Sequence, residues 1–116
     1  MAWSVEFVDE FEEEFDRFSP AVQDELLAQA KLLELFGPSL GRPRVDTLKG
    51  SKHPNMKELR FDVDGGVWRV AFAFDPRRRA MLLAAGDKSG VSQKLFYRRL
   101  IEKADKRFDA HLHRIN

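Results

Sequence analysis

The side chains of this chain that could do chemistry are mostly cations on or beside alternating stretches. Arg60 lies on the polar side of Met56–Val63, with Glu58 and Asp62, while Leu59, Phe61 and Val63 take the other side. Arg69 lies on the side of Val67–Phe74 opposite Trp68, Val70, Phe72 and Phe74. Lys88 sits in a polar loop straight after the apolar run Ala80–Gly86. A guanidinium is a planar, permanently charged fork that matches phosphate oxygens. An ammonium crowded by other cations can have a lowered pKa and serve in proton transfer. Anion binding and charge stabilisation are therefore the chemistry open to this set. The plainer alternatives stand beside it: Arg69 as an ion-paired structural arginine facing Asp62, and Lys88 as a solvated loop lysine.

Other candidates carry less. Lys49, Lys52 and Lys57 flank one loop, where each alone is an ordinary surface charge. Tyr97, the only tyrosine, can stack on a base or act as an acid–base group, or simply pack in a core, and Phe96 beside it shares these options. His53 titrates near neutrality, but Pro54 next to it favours a loop-structural or solvated role. His111 and His113 face different sides of a helix and make no metal pair. Arg77, Arg78 and Arg79 at a turn tip are either an RNA contact through counterion release or a solvated turn. There is no HExxH, P-loop, GxGxxG or zinc spacing.

The charge is divided. Residues 1–37 carry ten acids and two bases, net −8, and residues 38–116 carry 18 bases and nine acids, net +9. This points either to a polyanion partner for the second part or to acidic helices neutralising a basic sheet. A length of 116 residues suits one domain spanning 1–116. No apolar run approaches the roughly 20 residues of a bilayer span. The start, MAWSVEFVDE, lacks the basic and apolar regions of a signal peptide. The absence of cysteine excludes disulfides and a thiol nucleophile and fits a cytoplasmic location.

The elements that must position these residues follow from periodicity. A first strand is expected at 2–8, then Asp9 as cap of a helix running from Glu10 to Phe18. Ser19-Pro20 restarts the helix, with Val22, Leu26, Ala30, Leu33 and Phe36 as its buried face, and Gly37-Pro38 ends it. Residues 38–55 read as a surface loop with one short strand at 45–48. Met56–Val63 and Val67–Phe74 read as a hairpin around Gly65-Gly66. That turn pairs Val63 with Trp68, Phe61 with Val70 and Leu59 with Phe72. Arg60 and Arg69 then become diagonal neighbours roughly 7–8 Å apart on one face. Residues 75–78 form a second turn, Ala80–Gly86 a central strand buried on both faces, and Ser92 caps a last helix whose stripe is Leu100/Ile101, Ala104, Phe108, Leu112 and Ile115. The expected class is α+β: an N-terminal strand and helical hairpin, an antiparallel sheet of three to four strands, and a C-terminal helix.

The stretches LKGSKHPNMKELRF, VWRVAFAFDP, LLAAGDKSG and KLFYRRLIEKADKRFDAHL, in this order and with these elements between them, resemble the HigB-like branch of the RelE/ParE toxin superfamily. The resemblance runs over the whole chain. It implies a small sheet flanked by helices and the toxin of a bacterial type II toxin–antitoxin pair. RelE and HigB members cut mRNA, typically in the ribosomal A site, with basic, His-poor sites and no metal or other cofactor. A cognate antitoxin, often with a helix-turn-helix, neutralises them. Through the resemblance, Arg60 and Arg69 become phosphate or transition-state clamps. Lys88 becomes an acid–base or phosphate group, and Tyr97 an acid–base or stacking group. Lys49, Lys52, His53, Lys57 and Arg77–Arg79 become RNA contacts. The alternatives are a ParE-like, non-nucleolytic inhibitor of a protein such as DNA gyrase, and a module that only binds an antitoxin. The clamp requires both guanidiniums to project freely from one side of the sheet; burial of either beneath a helix removes that assignment.

Overall fold

The computed structural model describes residues 3–116. The elements run β1 (Ser4–Phe7), α1 (Asp9–Asp16), α2 (Pro20–Phe36), a 3-10 turn (Gly37–Ser39), β2 (Val45–Thr47), β3 (Lys57–Val63), β4 (Gly66–Phe74), β5 (Arg79–Asp87) and α3 (Gln93–Ile115). The strands form one sheet in the order β1-β5-β4-β3-β2. β2 to β5 are the expected antiparallel meander, and β1 adds a fifth strand in parallel beside β5. Of the strand expected at 2–8, Ala2 lies outside the described residues.

Local chemistry explains most boundaries. Ser19 Oγ accepts a hydrogen bond from the Val22 N–H at 3.3 Å, and Pro20 opens α2. Asp9 is not a cap: Val8 holds that place without a side-chain bond, and Asp9 is the first of three acids in the opening turn, where the helix dipole favours negative charge. Val22, Leu26, Ala30 and Leu33 are buried as expected, but Phe36 is 53% exposed. One turn beyond Leu33, the inward place belongs to Gly37, where a Cβ would stand 2.3 Å from the Trp3 ring. Only a residue without a side chain lets that indole close over the helix end.

Helices cover both faces of the sheet. α1 and α2 lie on the face of Trp68, Val70 and Phe72, with the Phe18 and Trp68 rings 5.0 Å apart. α3 lies on the face of Ala71 and Ala73 and sends Phe96, Leu100, Ala104 and Phe108 inward. β5 is buried from Ala80 to Ala84 without a break, as a strand covered on both faces must be.

The β3–β4 turn differs from expectation. Its central residues are Asp64 and Gly65, with φ of 49° and 76°, and Gly66 already pairs with Val63 as the first residue of β4. Two successive positive φ angles define the hairpin turn whose twist suits the strands, and Asp-Gly is a favoured pair for it. The register is therefore Phe61 with Trp68, Leu59 with Val70, and Arg60 directly opposite Arg69. The change moves each pairing by two residues, so every side chain keeps its face.

At the β4–β5 turn, the Asp75 carboxylate accepts from the N–H groups of Arg77 (2.9 Å) and Arg79 (3.0 Å), from Arg79 Nε (2.8 Å), and contacts His111 Nε2 at 2.8 Å. Burial pushes its pKa up, but the hydrogen bonds from His111, Arg79 and Arg77 win and hold it below the usual carboxylate range. Asp75→Asn is expected to cost about 3 kcal/mol, the penalty for breaking a buried charge network. The carboxylate's contribution is complete above its unfolded pKa of about 3.9 and disappears as pH falls through the lower folded value. Urea unfolding at pH 7 and below pH 4 measures both: the parent should lose more stability on acidification than Asp75→Asn.

Candidate active site

A cavity of about 370 Å³ opens where β2, β3, the end of β5 and the start of α3 meet. Arg60, Lys88, Tyr97 and Lys49 line it together. β3 supplies Arg60 because its polar residues alternate toward α3. The end of β5 supplies Lys88, whose N–H donates to the Val67 carbonyl at 2.8 Å and so continues the ladder one residue past the strand. The second turn of α3, a helix capped by Ser92, supplies Tyr97, and Lys88 Nζ stands 6.0 Å from the centre of its ring. Lys49 follows β2 on the loop rim.

Glu58, two residues before Arg60 on the same face, forms the floor. It is buried, and its Oε1 accepts a hydrogen bond from the Tyr97 hydroxyl at 2.8 Å. Burial pushes the Glu58 carboxyl up, against the hydrogen bond from Tyr97 and the charges of Arg69 and Arg60, and it settles above the ordinary glutamate value. Burial and the bond to Glu58 push the Tyr97 phenol up as well, so Tyr97 keeps its proton and donates it to the carboxylate.

Arg69 does not meet the condition set for a clamp. It is 6% exposed, and its guanidinium is engaged from several sides. Nε donates to the Tyr97 hydroxyl at 3.3 Å and stands 3.7 Å from Glu58, and Nη1 donates to the Trp68 carbonyl at 2.9 Å. The α3 face packs over it, and its acidic neighbour is Glu58 rather than Asp62. Arg69 is therefore not a freely projecting clamp beside Arg60; it holds Tyr97 and Glu58 from beneath. Arg60 is a third exposed and 3.8 Å from Asp46, which Arg42 holds at 3.0 Å. A second cavity of about 440 Å³ adjoins through Arg60 and is also lined by Arg44 and by the small exposed part of Arg69.

The remaining candidates lie elsewhere. Lys52 and His53 pair with Asp109 of α3, His53 through Nε2 at 2.8 Å, and the His53 ring packs edge-on to Phe108. They fasten the loop to the helix. Lys57 alternates to the face away from Arg60. Arg77, Arg78 and Arg79 sit at the far end of the nine-residue β5 from Lys88, about 30 Å by strand rise. There Arg79 pairs with Asp75 at 2.8 Å, Arg77 donates to the Ile115 carbonyl at 2.8 Å, and Arg78 lies 4.4 Å over the Trp3 ring. Sequence reasoning missed Glu58, Arg42 and Arg44. The spacing of Glu58 and Arg60 was the available signal: two residues apart on a strand means one face.

This architecture is that of RelE. The chain superposes on a double mutant of E. coli toxin RelE in the free state with a TM-score of 0.59 at 14% identity, covering 92% of this chain and 98% of that one. For the intact E. coli RelBE toxin–antitoxin complex the TM-score is 0.53 at 15% identity, covering 73% and 95%. The family model described as Phage derived protein Gp49-like matches residues 13–109. The chain belongs to that Gp49-like family. It is 48% identical to Putative toxin HigB2 of Mycobacterium tuberculosis over 88 residues, 75% of this chain. It is 51% identical to Putative toxin HigB3 of the same organism over 76 residues, 66% of this chain. These matches span 43% and 64% of the two relatives' lengths.

Tyr97→Phe removes the donor to Glu58 and is expected to raise the Glu58 pKa further, followed by NMR titration, and to cost about 1–2 kcal/mol. An unchanged Glu58 titration would show that the phenol does not hold the carboxylate.

Proposed function

We propose that the chain is the toxin of a type II toxin–antitoxin pair and acts as an endoribonuclease on mRNA held by the ribosome. The observation that carries this reading is the convergence of Glu58, Arg60, Lys88, Tyr97 and Lys49 on one groove, in a member of a family whose relatives are named toxins. RNA cleavage of this kind requires removal of the 2′-OH proton, stabilisation of the in-line phosphorane, and protonation of the 5′-oxygen.

Glu58 is the base. Its raised pKa brings it toward the working pH, where a general base is most effective, and Tyr97 and Arg69 orient it. The 2′-oxygen attacks phosphorus as its proton passes to Glu58. Arg60, Lys49 and Lys88 surround the developing negative charge. The bond to the 5′-oxygen breaks as Lys88 delivers a proton to it, leaving a 2′,3′-cyclic phosphate and a 5′-hydroxyl. Arg42 and Arg44 extend the cationic rim along the strand that enters. The protein works in the cytoplasm, where its substrate is, under the control of a small antitoxin with a helix-turn-helix that covers the basic side.

Expression of the chain alone, with transcript ends mapped, tests the proposal. Growth arrest with mRNA cut on ribosomes is the expected outcome. Arrest with DNA damage and intact mRNA would point to gyrase, and no arrest to an antitoxin-binding module. Glu58→Gln should lower the single-turnover cleavage rate by about 10²–10⁴ and remove the limb of the pH profile that rises as Glu58 ionises. Arg60→Ala and Lys88→Ala should also impair cleavage, while Arg78→Ala leaves it unchanged.

A further inference from the structure

β1 covers only half of its neighbour. Its last pair is Phe7 with Leu82, and the Val8 N–H closes on the Leu82 carbonyl at 3.1 Å before the chain turns into α1. β5 runs on to Asp87 with no strand beside it. The register settles which backbone groups face outward there. Lys88 donates to Val67, so Gly86 bonds across to Arg69 and the N–H and C=O of Ala85 point away from the sheet. The outward groups of Asp87 do the same. The Leu83 carbonyl on this edge is already taken by Arg107 Nη1 at 2.8 Å, a side chain doing what a further strand would do. No group among the described residues bonds the outward side of Ala85. Such an edge invites another chain unless something blocks it.

We propose that this uncovered edge of β5, Ala85 to Asp87, is a docking site for an extended, acidic–apolar segment of a partner protein, which joins the sheet as a short strand. The edge lies in a groove. Cavities of about 230 and 290 Å³ on either side share Ala85 and Lys103. Phe18, between α1 and α2, forms one apolar wall, and Phe96, Leu100 and the 42% exposed Val91 form the other. A strand laid here alternates its side chains between these walls, while its backbone bonds Ala85 and Asp87.

Charge selects the segment. Arg17, Arg99 and Lys103 rim the groove. Two acids also line it, and both are engaged: Glu14 by Arg107 at 2.6 Å and Lys103 at 4.0 Å, and Asp87 by the N–H groups of Val67 and Ser89, each at 2.9 Å. Arg17 and Arg99 make no ion pair among the described residues. An acidic segment answers this rim and a basic one is repelled. The edge ends one residue before Lys88 and lies two strands from Arg60, but its free backbone groups point outward from β5, away from the Arg60 groove, so a segment bound here does not need the proposed cleavage.

The probe is a blocked octapeptide of alternating Val and Glu, added to the whole protein. It should bind with a Kd on the order of 10–100 μM and slow amide exchange at Ala85 and Asp87 at least about tenfold. Peptides N-methylated on alternate residues, in both phases, separate backbone pairing from charge: one phase should bind at least about tenfold more weakly. A Lys-for-Glu peptide should also bind at least about tenfold more weakly, as should Arg99→Glu/Lys103→Glu with its Tm unchanged. Arg60→Ala/Lys49→Ala should bind the probe normally. No binding at about 1 mM, protection centred on the Arg60 groove, or indifference to N-methylation in both phases would overturn the proposal.

Discussion

Arg60 and Arg69 face each other across the β3–β4 ladder, where directly opposed side chains come closest and like charges repel. The hairpin tolerates the pair because the two guanidiniums meet different surroundings. Arg69 turns down onto Glu58, Tyr97 and the Trp68 carbonyl, while Arg60 stays on the rim near Asp46. Burying a guanidinium requires a carboxylate, and a buried carboxylate requires donors. Glu58, Tyr97 and Arg69 satisfy one another at the point where sheet and helix meet. The same arrangement leaves one carboxyl with a raised pKa at the base of a cationic groove, so what holds α3 on the sheet also sets up the proposed chemistry.

The two ends of β5 use arginine and lysine differently. At the β4–β5 turn, Arg79 is bonded to Asp75, beside His111, and the cation serves folding. At the other end, Lys88 stands in a groove with Arg60 and Lys49 and balances no carboxylate among the described residues. The runs look alike in sequence; what separates them is a carboxylate with no exposed surface at one end and an open cavity at the other.

Much of this was legible beforehand. The alternation of Met56–Val63 and Val67–Phe74 fixed which side chains share a face, and Ser19-Pro20 and Ser92 marked the starts of two helices. The turn was misjudged because Gly65-Gly66 and Asp64-Gly65 both admit positive φ, and local sequence alone does not separate them. The burial of Arg69 was not legible, since it depends on where the start of α3 lands. The role of His53 depended on Asp109, 56 residues away, a contact that spacing does not announce. Phe36 was misplaced because the helical period continues smoothly into Gly37, and only the Trp3 ring reveals which residue turns inward.

The loop that bears Lys49 is stitched to the distal half of α3. Ser51 and the Lys52 N–H engage Asp105, and Lys52 and His53 engage Asp109. One rim of the groove thus hangs from turns of helix well beyond Tyr97. Fraying of the helix from its C-terminal end would slacken that rim while Glu58 and Arg69 remained seated. The helix works as a guy rope as much as a lid, and a ligand that loosened its tail could disarm the groove without ever entering it.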